Sequence, residues 1–123
     1  MRRQSATVHE LARVELLAGL PGEVLTRLGE RMERRELAPG ERVVSQGEDG
    51  DAFYVVLSGL LNASQAERGV RTMLRPGAYF GEVSLLMEVP RTASVQAVTP
   101  ATVASCDRET FDELVRPLFT GTG

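Results

Sequence analysis

The amino-acid sequence predicts a single, mainly β domain with helices at both ends, in which short strands form a sandwich or a barrel. Between residues 34 and 106, short apolar and β-branched runs alternate with turns that contain glycine or proline, as in all-β domains. Apolar residues at helical spacing flank this region on both sides. The 123 residues, 42% of them hydrophobic, fit one domain, residues 1–123, with one core.

The N-terminal segment, residues 8–33, is predicted to be helical. A first helix over residues 8–18 is indicated by apolar residues at roughly helical spacing, Leu11, Val14 and Leu17. A second helix is expected to start at Pro21, whose fixed φ suits a first helical turn. Its apolar face would consist of Val24, Leu25, Leu28 and Met32.

The strands of the central region are predicted from short apolar runs and the turns between them. They cover residues 35–37, 41–45, 52–58, 60–65, 70–74, 92–98 and 102–106. The run AFYVVLS at residues 52–58 is continuously apolar and is expected to be buried. The last two strands, on either side of Thr99-Pro100, are predicted to form a hairpin. Gly47 and Gly50 are interpreted as turn residues of the loop QGEDGD.

The C-terminal segment, residues 107–116, is predicted to close the domain with a helix. Asp107 is a good N-cap for a helix over residues 109–115. Pro117 is expected to end this helix, because proline lacks the N–H that a helix interior needs. The tail, residues 117–123, ends in TGTG and is not expected to be helical.

The stretch FGEVSLLMEVPRTASV, residues 80–95, combines features of an anion site. Gly81 allows the backbone to approach a ligand closely or to take a positive φ. Residues 82–87 predict a short helix, whose first N–H groups have no partner within the helix. Arg91, after Pro90, has a planar guanidinium that suits a phosphate. Glu82 adds an acceptor, so a ligand with both hydroxyls and a phosphate could use both side chains.

The same stretch resembles the phosphate-binding cassette of cyclic nucleotide-binding domains, in its FGE, six intervening residues, Val89 and PRTA. PGERVVSQGEDGDAFYVVLSG, residues 39–59, is similar to the first half of the same fold. The resemblance covers roughly residues 16–115. It implies an eight-stranded jelly-roll β-barrel over residues 34–106, with N-terminal helices, a short helix within the cassette (residues 80–95) and a C-terminal helix.

The resemblance assigns roles to two charged residues. Glu82 would accept a hydrogen bond from the ribose 2′-hydroxyl, whereas the rival interpretation is an acid that only favours a helix N-terminus. Arg91 would pair with the cyclic phosphate, and its rival interpretation is an ordinary surface arginine. The presence of both motifs favours the ligand in each case.

Four further cassette residues are implied as ligand contacts. Backbone N–H groups near Gly81, Val83 and Ser84 would complete the anion site. Ser84 stands where the family commonly has alanine, and its hydroxyl could join the phosphate contacts or crowd them. Thr92 could bond the phosphate or the amino group of guanine, and its rival interpretation is an ordinary strand threonine. The sequence therefore leaves open whether the ligand is cyclic AMP or cyclic GMP.

Asp51, in GEDGDAFY, is a candidate for a supporting role. In kinase-type relatives the aspartate of this motif orients the cassette arginine, which would preorganise the site. The alternative is a turn aspartate, which the neighbouring glycines make plausible. Phe53, Tyr54 and Phe80 are expected to be core residues rather than groups that stack on a base.

Composition argues against several other classes of protein. A net charge of −3, with acids and bases interspersed, gives no basic surface for nucleic acid. Cys106, the only cysteine, cannot form an intrachain disulfide, which fits a reducing compartment. No run approaches the roughly 20 apolar residues of a membrane span, and the N-terminus does not read as a signal peptide. We therefore expect a soluble, cytoplasmic protein or the cytoplasmic part of a larger one.

The leading functional hypothesis is a regulatory domain that binds a cyclic nucleotide and couples binding to movement of its flanking helices, without catalysis. We expect no metal and no cofactor apart from the ligand. An alternative is a structural or interaction domain that keeps the fold and has lost the ligand. A cupin-type metalloenzyme would need several histidines, and His9 is the only one, expected on the surface. No helix-turn-helix follows Val115, so a DNA-binding regulator is unsupported.

The C-terminal side leaves a question about how the ligand is covered. In relatives, a further helix after the closing one often caps the base and transmits the signal. Little of it is expected after Pro117, so the chain would be a fragment, receive its lid from elsewhere, or bind its ligand openly and more weakly. The effector domain is not expected in this chain, and the oligomeric state stays open.

Overall fold

Eight strands dominate the computed structural model, which describes residues 6–121, apart from the side chain of Val70. They are β1 (Glu33–Leu37), β2 (Arg42–Val44), β3 (Ala52–Ser58), β4 (Leu61–Gln65), β5 (Val70–Leu74), β6 (Tyr79–Phe80), β7 (Ser94–Ala97) and β8 (Ala101–Asp107). Seven of them lie close to the predicted strands, and the bounds of β3 and β5 coincide with the prediction, whereas β6 had no predicted counterpart. The predicted tail extends to residue 123, and its last two residues lie outside the described part.

The strands form two antiparallel sheets of four strands each. Sheet 1 has the order β1-β8-β3-β6, and sheet 2 has the order β2-β7-β4-β5. Apolar side chains from both sheets pack into one core, including Val56 and Val103 of sheet 1 and Leu61 and Val95 of sheet 2. Two sheets that face each other in this way are the double-sheet form of a jelly roll, so the predicted mainly β fold with eight strands is confirmed.

The predicted hairpin between the last two strands is wrong. β7 pairs with β2 and β4, whereas β8 pairs with β1 and β3, so the two strands belong to different sheets. The connection is tied to Leu60, whose N–H donates to Thr99 Oγ1 at 3.0 Å and whose carbonyl accepts from the Val98 N–H at 2.8 Å. Turn residues indicate that the chain changes direction, but they do not indicate which sheet receives the next strand.

Three helices precede or interrupt the sheets: α1 (Val8–Leu11), α2 (Gly22–Glu30) and α3 (Glu82–Met87). Residues 82–87 are the predicted helix of the cassette. α2 begins one residue after the predicted start, with Pro21 as its N-cap, and it ends before Met32, which was predicted on its apolar face. The predicted first helix over residues 8–18 is too long, because after α1 the chain continues in tight turns such as Arg13 N–H to Glu10 O at 3.3 Å. A spacing of three residues suits such turns, and it buries Leu11, Val14 and Leu17 completely.

A second core lies between sheet 1 and the helices. Along β3, Phe53 and Val55 face this core, whereas Val56 faces the core between the sheets. The central strand is therefore covered on both faces, which explains why its sequence is continuously apolar. Leu85 of α3 also belongs to the second core, so the cassette helix is anchored to the helical layer.

The C-terminal segment continues as a helix beyond Pro117, contrary to the prediction. It consists of α4 (Arg108–Thr110), a π-helical turn (Phe111–Val115) and α5 (Arg116–Thr120). The widened turn, closed by Arg116 N–H to Phe111 O, restarts the helix, so Pro117 lies in a first turn where no N–H is required. Phe119 then packs against the rings of Phe53, Tyr79 and Phe111.

Within residues 6–121, no helix has both the length and the apolar character that a membrane span requires.

Candidate functional site

A cavity of about 250 Å³ lies between α3 and sheet 2, and it collects all six cassette residues predicted to touch a ligand. They are Gly81, Glu82, Val83, Ser84, Arg91 and Thr92. Strand residues complete the wall, among them Ala63 of β4 and Thr72 of β5, which are paired across the two strands. Fold and sequence motif thus bring the predicted residues to one place.

Gly81 starts the cassette helix in a conformation that only glycine adopts readily. Its φ is 94° and it caps α3. A Cβ at this position would lie 2.9 Å from the Ala52 carbonyl oxygen and 2.9 Å from Arg91 Nη1. The missing side chain therefore leaves room for the guanidinium of Arg91 to approach the backbone of the cassette.

Arg91 is buried, with 7% of the residue exposed, and its backbone and side chain are both fixed. The backbone is tied to the loop before β3, since Arg91 N–H donates to Glu48 O at 2.8 Å and Arg91 O accepts from Gly47 N–H at 2.9 Å. The guanidinium donates from Nη1 to Gly81 O at 3.1 Å and from Nη2 to Ala52 O at 2.9 Å. Its interpretation as an ordinary surface arginine is therefore excluded.

Gly50 has a role that the sequence interpretation missed. A Cβ on Gly50 would overlap Nε and Cζ of Arg91 and would lie 2.7 Å from Nη2. Its φ is not in the left-handed region, so the need for glycine comes from the close approach of the guanidinium. The interpretation of Gly50 as a simple turn residue is corrected accordingly. The signal in the sequence was its position directly before Asp51, which was predicted to support Arg91.

Ser84, in the first turn of α3, directs its hydroxyl toward Arg91. The hydroxyl accepts a hydrogen bond from Arg91 Nη1 at 2.8 Å and lies 3.2 Å from Gly81 O, to which it donates. Only 3% of the residue is exposed. The hydroxyl that distinguishes this chain from the alanine common in the resembled family is therefore part of the arginine's environment.

Burial disfavours the ionised forms of the two charged residues of the site, Glu82 and Arg91. Burial raises the pKa of the Glu82 carboxyl above its ordinary value, while a backbone hydrogen bond and the charge of Arg91 oppose that change. Burial also lowers the pKa of Arg91, and electrostatic interactions with Tyr54, Asp51 and Glu82 act in the opposite direction. Both shifts disfavour the ionised forms, because burial removes each charge from water.

Asp51 lies near Arg91 but is not one of its hydrogen-bond acceptors. It is exposed and lines a neighbouring cavity of about 380 Å³, together with Gly50 and Ser84. The three acceptors of the guanidinium are Gly81 O, Ser84 Oγ and Ala52 O. Asp51 acts on Arg91 through its charge, and the adjacent Ala52 carbonyl provides the direct contact.

Comparison with known proteins identifies the family. Residues 34–117 match the family model described as cyclic nucleotide-binding domain. The chain belongs to this family. It is 38% identical over 110 residues to a cAMP-dependent protein kinase regulatory subunit of Yarrowia lipolytica, covering 89% of this chain and 29% of the relative. It is 32% identical over 126 residues to the cGMP-dependent protein kinase egl-4 of Caenorhabditis briggsae, and the match covers 98% of this chain and 17% of the kinase.

Solved structures agree with the family. The regulatory domain of Toxoplasma gondii PKA, crystallised with cAMP, matches with a TM-score of 0.83 and 28% identity, over 90% of this chain and 44% of that one. The resemblance predicted from FGE and PRTA is thereby confirmed. The chain spans less than a third of the length of the curated relatives it matches first.

This cyclic nucleotide-binding domain has a rim of hydroxyl groups that the sequence revealed only in part. Thr92 lines the cavity, and it is exposed. Thr72 of β5 lines the same cavity and was not predicted, although alternation along the strand could have placed it opposite Ala63. Phe53 is fully buried in the core between sheet 1 and the helices, as predicted. Tyr54 and Phe80 stack on each other with ring centroids 4.8 Å apart, but Tyr54 is only partly buried and Phe80 lines the cavity, so for these two rings the core role stays a prediction.

Two arginines of the C-terminal segment connect it to the cassette of this cyclic nucleotide-binding domain. Arg108 Nη1 donates to Leu85 O at 3.4 Å, and Arg116 Nη2 donates to the same carbonyl at 3.1 Å. Leu85 lies near the end of α3, where a carbonyl without a helical partner favours a cation. Sequence reasoning missed this link because it depends on residues more than 20 positions apart.

Proposed function

We propose that this domain binds a cyclic nucleotide, with Glu82 accepting from the ribose 2′-hydroxyl and Arg91 pairing with the cyclic phosphate. The observation that carries the proposal is the pair of opposite charges, both affected by burial, on the wall of one cavity. A carboxylate of this kind is stabilised by hydroxyl or amide donors, and a guanidinium whose acceptors are all neutral is stabilised further by an anion. A cyclic nucleotide supplies a hydroxyl and an anion at a fixed separation.

The backbone of the cassette supports the same assignment. Gly81 and Val83 line the cavity at the start of α3, where N–H groups lack helical partners. They would bind the phosphate beside Arg91. Thr92 would lie at the same end of the ligand, near the phosphate or the base. Asp51 would act as a supporting charge for Arg91 rather than as a ligand contact.

The output of the domain is proposed to be regulatory rather than catalytic, as in the kinase regulatory subunits to which it is similar. A ligand that pulls on α3 would shift Leu85, and Arg108 and Arg116 would transmit that shift to the C-terminal segment. Binding would in this way change the populations of two arrangements of the closing helices. The effector domain that responds would lie in the remainder of a longer protein or in a partner.

The base remains a matter for experiment, because relatives that are named for cAMP and for cGMP both match. Isothermal titration calorimetry with cAMP, cGMP, AMP and guanosine separates the contributions of the base, the cyclic phosphate and the ribose. Thermal shift at about 1 mM ligand gives an independent readout. A ligand at 100 times its dissociation constant adds about 2.7 kcal/mol of stability, which raises the Tm of a domain of this size by several degrees.

Variants of Arg91 test the assignment of the phosphate contact. Arg91→Ala is expected to weaken binding by about 2–5 kcal/mol, the range for truncating a desolvated charge pair, and Arg91→Lys keeps the charge without the planar fork. Arg75→Ala is the matched control, because Arg75 is exposed and lies outside the cavity. Circular dichroism checks that each variant is folded. If wild-type protein shows neither heat nor stabilisation with either cyclic nucleotide at millimolar concentration, the proposal fails and a non-binding domain with the same fold is favoured.

A further inference from the structure

We propose that the Ser84 hydroxyl is a positioning group that holds the Arg91 guanidinium in the orientation in which it receives the phosphate. The proposal rests on the proposed function, since it concerns the same ligand. Ser84 is buried at the base of the cavity, in direct hydrogen-bond contact with Arg91. It would therefore influence binding through the arginine.

The hydrogen-bond pattern fixes the direction of each donor. A serine hydroxyl has one hydrogen, and here that hydrogen is directed to Gly81 O, 3.2 Å away. A lone pair of the same oxygen then faces Arg91 Nη1, which donates over 2.8 Å. Nη1 also donates to Gly81 O at 3.1 Å. Guanidinium, hydroxyl and carbonyl thus form a closed triangle that defines the rotation of the guanidinium plane.

The acceptors of the guanidinium are concentrated on Nη1. Nη1 donates to Gly81 O and Ser84 Oγ, and Nη2 donates to Ala52 O. Among the described residues, Nε has no acceptor. Nε and Nη2 share one edge of the guanidinium, and two parallel donors on one edge suit two oxygens of a phosphate. The Ser84 hydroxyl contacts Nη1, which does not belong to this edge, so it leaves Nε available to a phosphate.

Two roles of the hydroxyl predict opposite results. A positioning hydroxyl lowers the cost of ordering Arg91, so its removal weakens ligand binding. A hydroxyl that competes with the phosphate for Nη1 would have to be displaced, so its removal would strengthen binding. The first role is favoured because the hydroxyl contacts Nη1 and leaves Nε without a contact from Ser84.

Affinity measurements on Ser84→Ala test the proposal. We expect binding of the cyclic nucleotide to become about 10- to 30-fold weaker, in line with one hydrogen bond to a charged group. Ser84→Thr retains the hydroxyl and should restore most of the affinity. Ser58→Ala is the matched control, since Ser58 is exposed at the end of β3 and outside the cavity. Unchanged or tighter binding by Ser84→Ala overturns the proposal.

A double-mutant cycle distinguishes positioning from a general effect on the fold. In an Arg91→Lys background, Ser84→Ala should change affinity by less than about threefold, because the group that it positions has been replaced. The same 10- to 30-fold loss in both backgrounds would show that Ser84 acts independently of Arg91, which contradicts the proposal.

A measurement without ligand separates this proposal from the proposed function. In ¹⁵N-edited NMR of arginine side chains, the Nε–H signal of Arg91, assigned by its loss in Arg91→Lys, should be sharp in wild type and in Ser84→Thr. In Ser84→Ala it should broaden or move toward the position of exposed arginines. If wild-type protein binds no cyclic nucleotide, the proposed function fails, whereas this signal still decides whether Ser84 orders Arg91. An unchanged signal in Ser84→Ala refutes the positioning role.

Discussion

Gly50→Ala should disrupt the ligand site without touching the ligand. An added Cβ overlaps Nε and Cζ of Arg91 and lies 2.7 Å from Nη2, so the guanidinium must leave its position. The backbone of Gly50 is not in the left-handed region, hence alanine adds no backbone strain. The perturbation is therefore confined to the contact between this Cβ and the arginine.

The magnitude follows from the hydrogen bonds of Arg91. Displacement breaks some or all of three bonds from the guanidinium, to Gly81 O, Ser84 Oγ and Ala52 O. A bond to a charged group contributes about 1.5–3 kcal/mol, and the displaced guanidinium recovers part of this from water. Replacing glycine by alanine stabilises by roughly 0.4–1 kcal/mol through the unfolded state. We expect a net destabilisation of about 1–2 kcal/mol.

Binding should suffer more than stability. If Arg91 pairs with the phosphate, its displacement costs about 2–5 kcal/mol, or roughly 30- to 5000-fold in affinity. Calorimetric titration measures the affinity, and urea unfolding measures the stability. Gly19→Ala is the control, because a Cβ there meets no atom within 4 Å and the φ of Gly19 is not positive. Wild-type affinity in Gly50→Ala would refute the argument that the guanidinium must lie against Gly50 to bind the ligand.

Three further predictions concern stability. Glu82→Gln should raise the Tm of the ligand-free domain at pH 7, because burial raises the pKa of this carboxyl and its ionised form destabilises the fold. The gain in Tm should disappear as the pH falls below 4.5, the ordinary pKa of a glutamate. A gain that persists at lower pH contradicts this cause. Phe119→Ala should lower the free energy of unfolding in urea by about 2 kcal/mol, since the ring packs on Phe53, Tyr79 and Phe111. An unchanged urea midpoint would mean that α5 adds nothing to the stability of the core. Asp107→Ala should cost about 1 kcal/mol of stability at pH 7, because it removes the carboxylate that accepts from the Thr110 N–H. That hydrogen bond lowers the pKa of Asp107, so the difference between wild type and variant should vanish as the pH falls through the lowered pKa. A loss of stability that does not depend on pH would argue against the carboxylate as the cap.

Local signals in the sequence predicted much of this structure. The strand at 52–58 and the helix at 82–87 have the predicted bounds, because the residue composition of each segment and the glycine or proline residues beside it indicate the same element. The predicted ligand residues lie in one cavity because four of them begin a single short helix and the other two follow the turn at Pro90. The turn at Pro90 is enough to direct Arg91 toward this cavity.

The failures share a physical cause, which is that they depend on contacts distant in sequence. Spacing by three residues at Leu11, Val14 and Leu17 fits tight turns as well as a helix, and burial against sheet 1 decides between them. The strand after Thr99 enters another sheet because Leu60 fixes the connection. Pro117 continues a helix because a π-helical turn precedes it. None of these partners can be identified from the local pattern.

The costs of the site also indicate what its ligand must provide. Burial shifts the pKa values of Glu82 and Arg91 toward their neutral forms, so the unliganded domain holds two charges at a cost in stability. A nucleoside offers hydroxyls to Glu82 but leaves Arg91 without an anion, and inorganic phosphate does the reverse. Only a ligand that carries both groups offsets both costs in one binding event. If Glu82 and Arg91 have the proposed roles, we predict selectivity for a cyclic nucleotide over guanosine and over phosphate. This selectivity should weaken toward phosphate in Glu82→Gln and toward guanosine in Arg91→Lys.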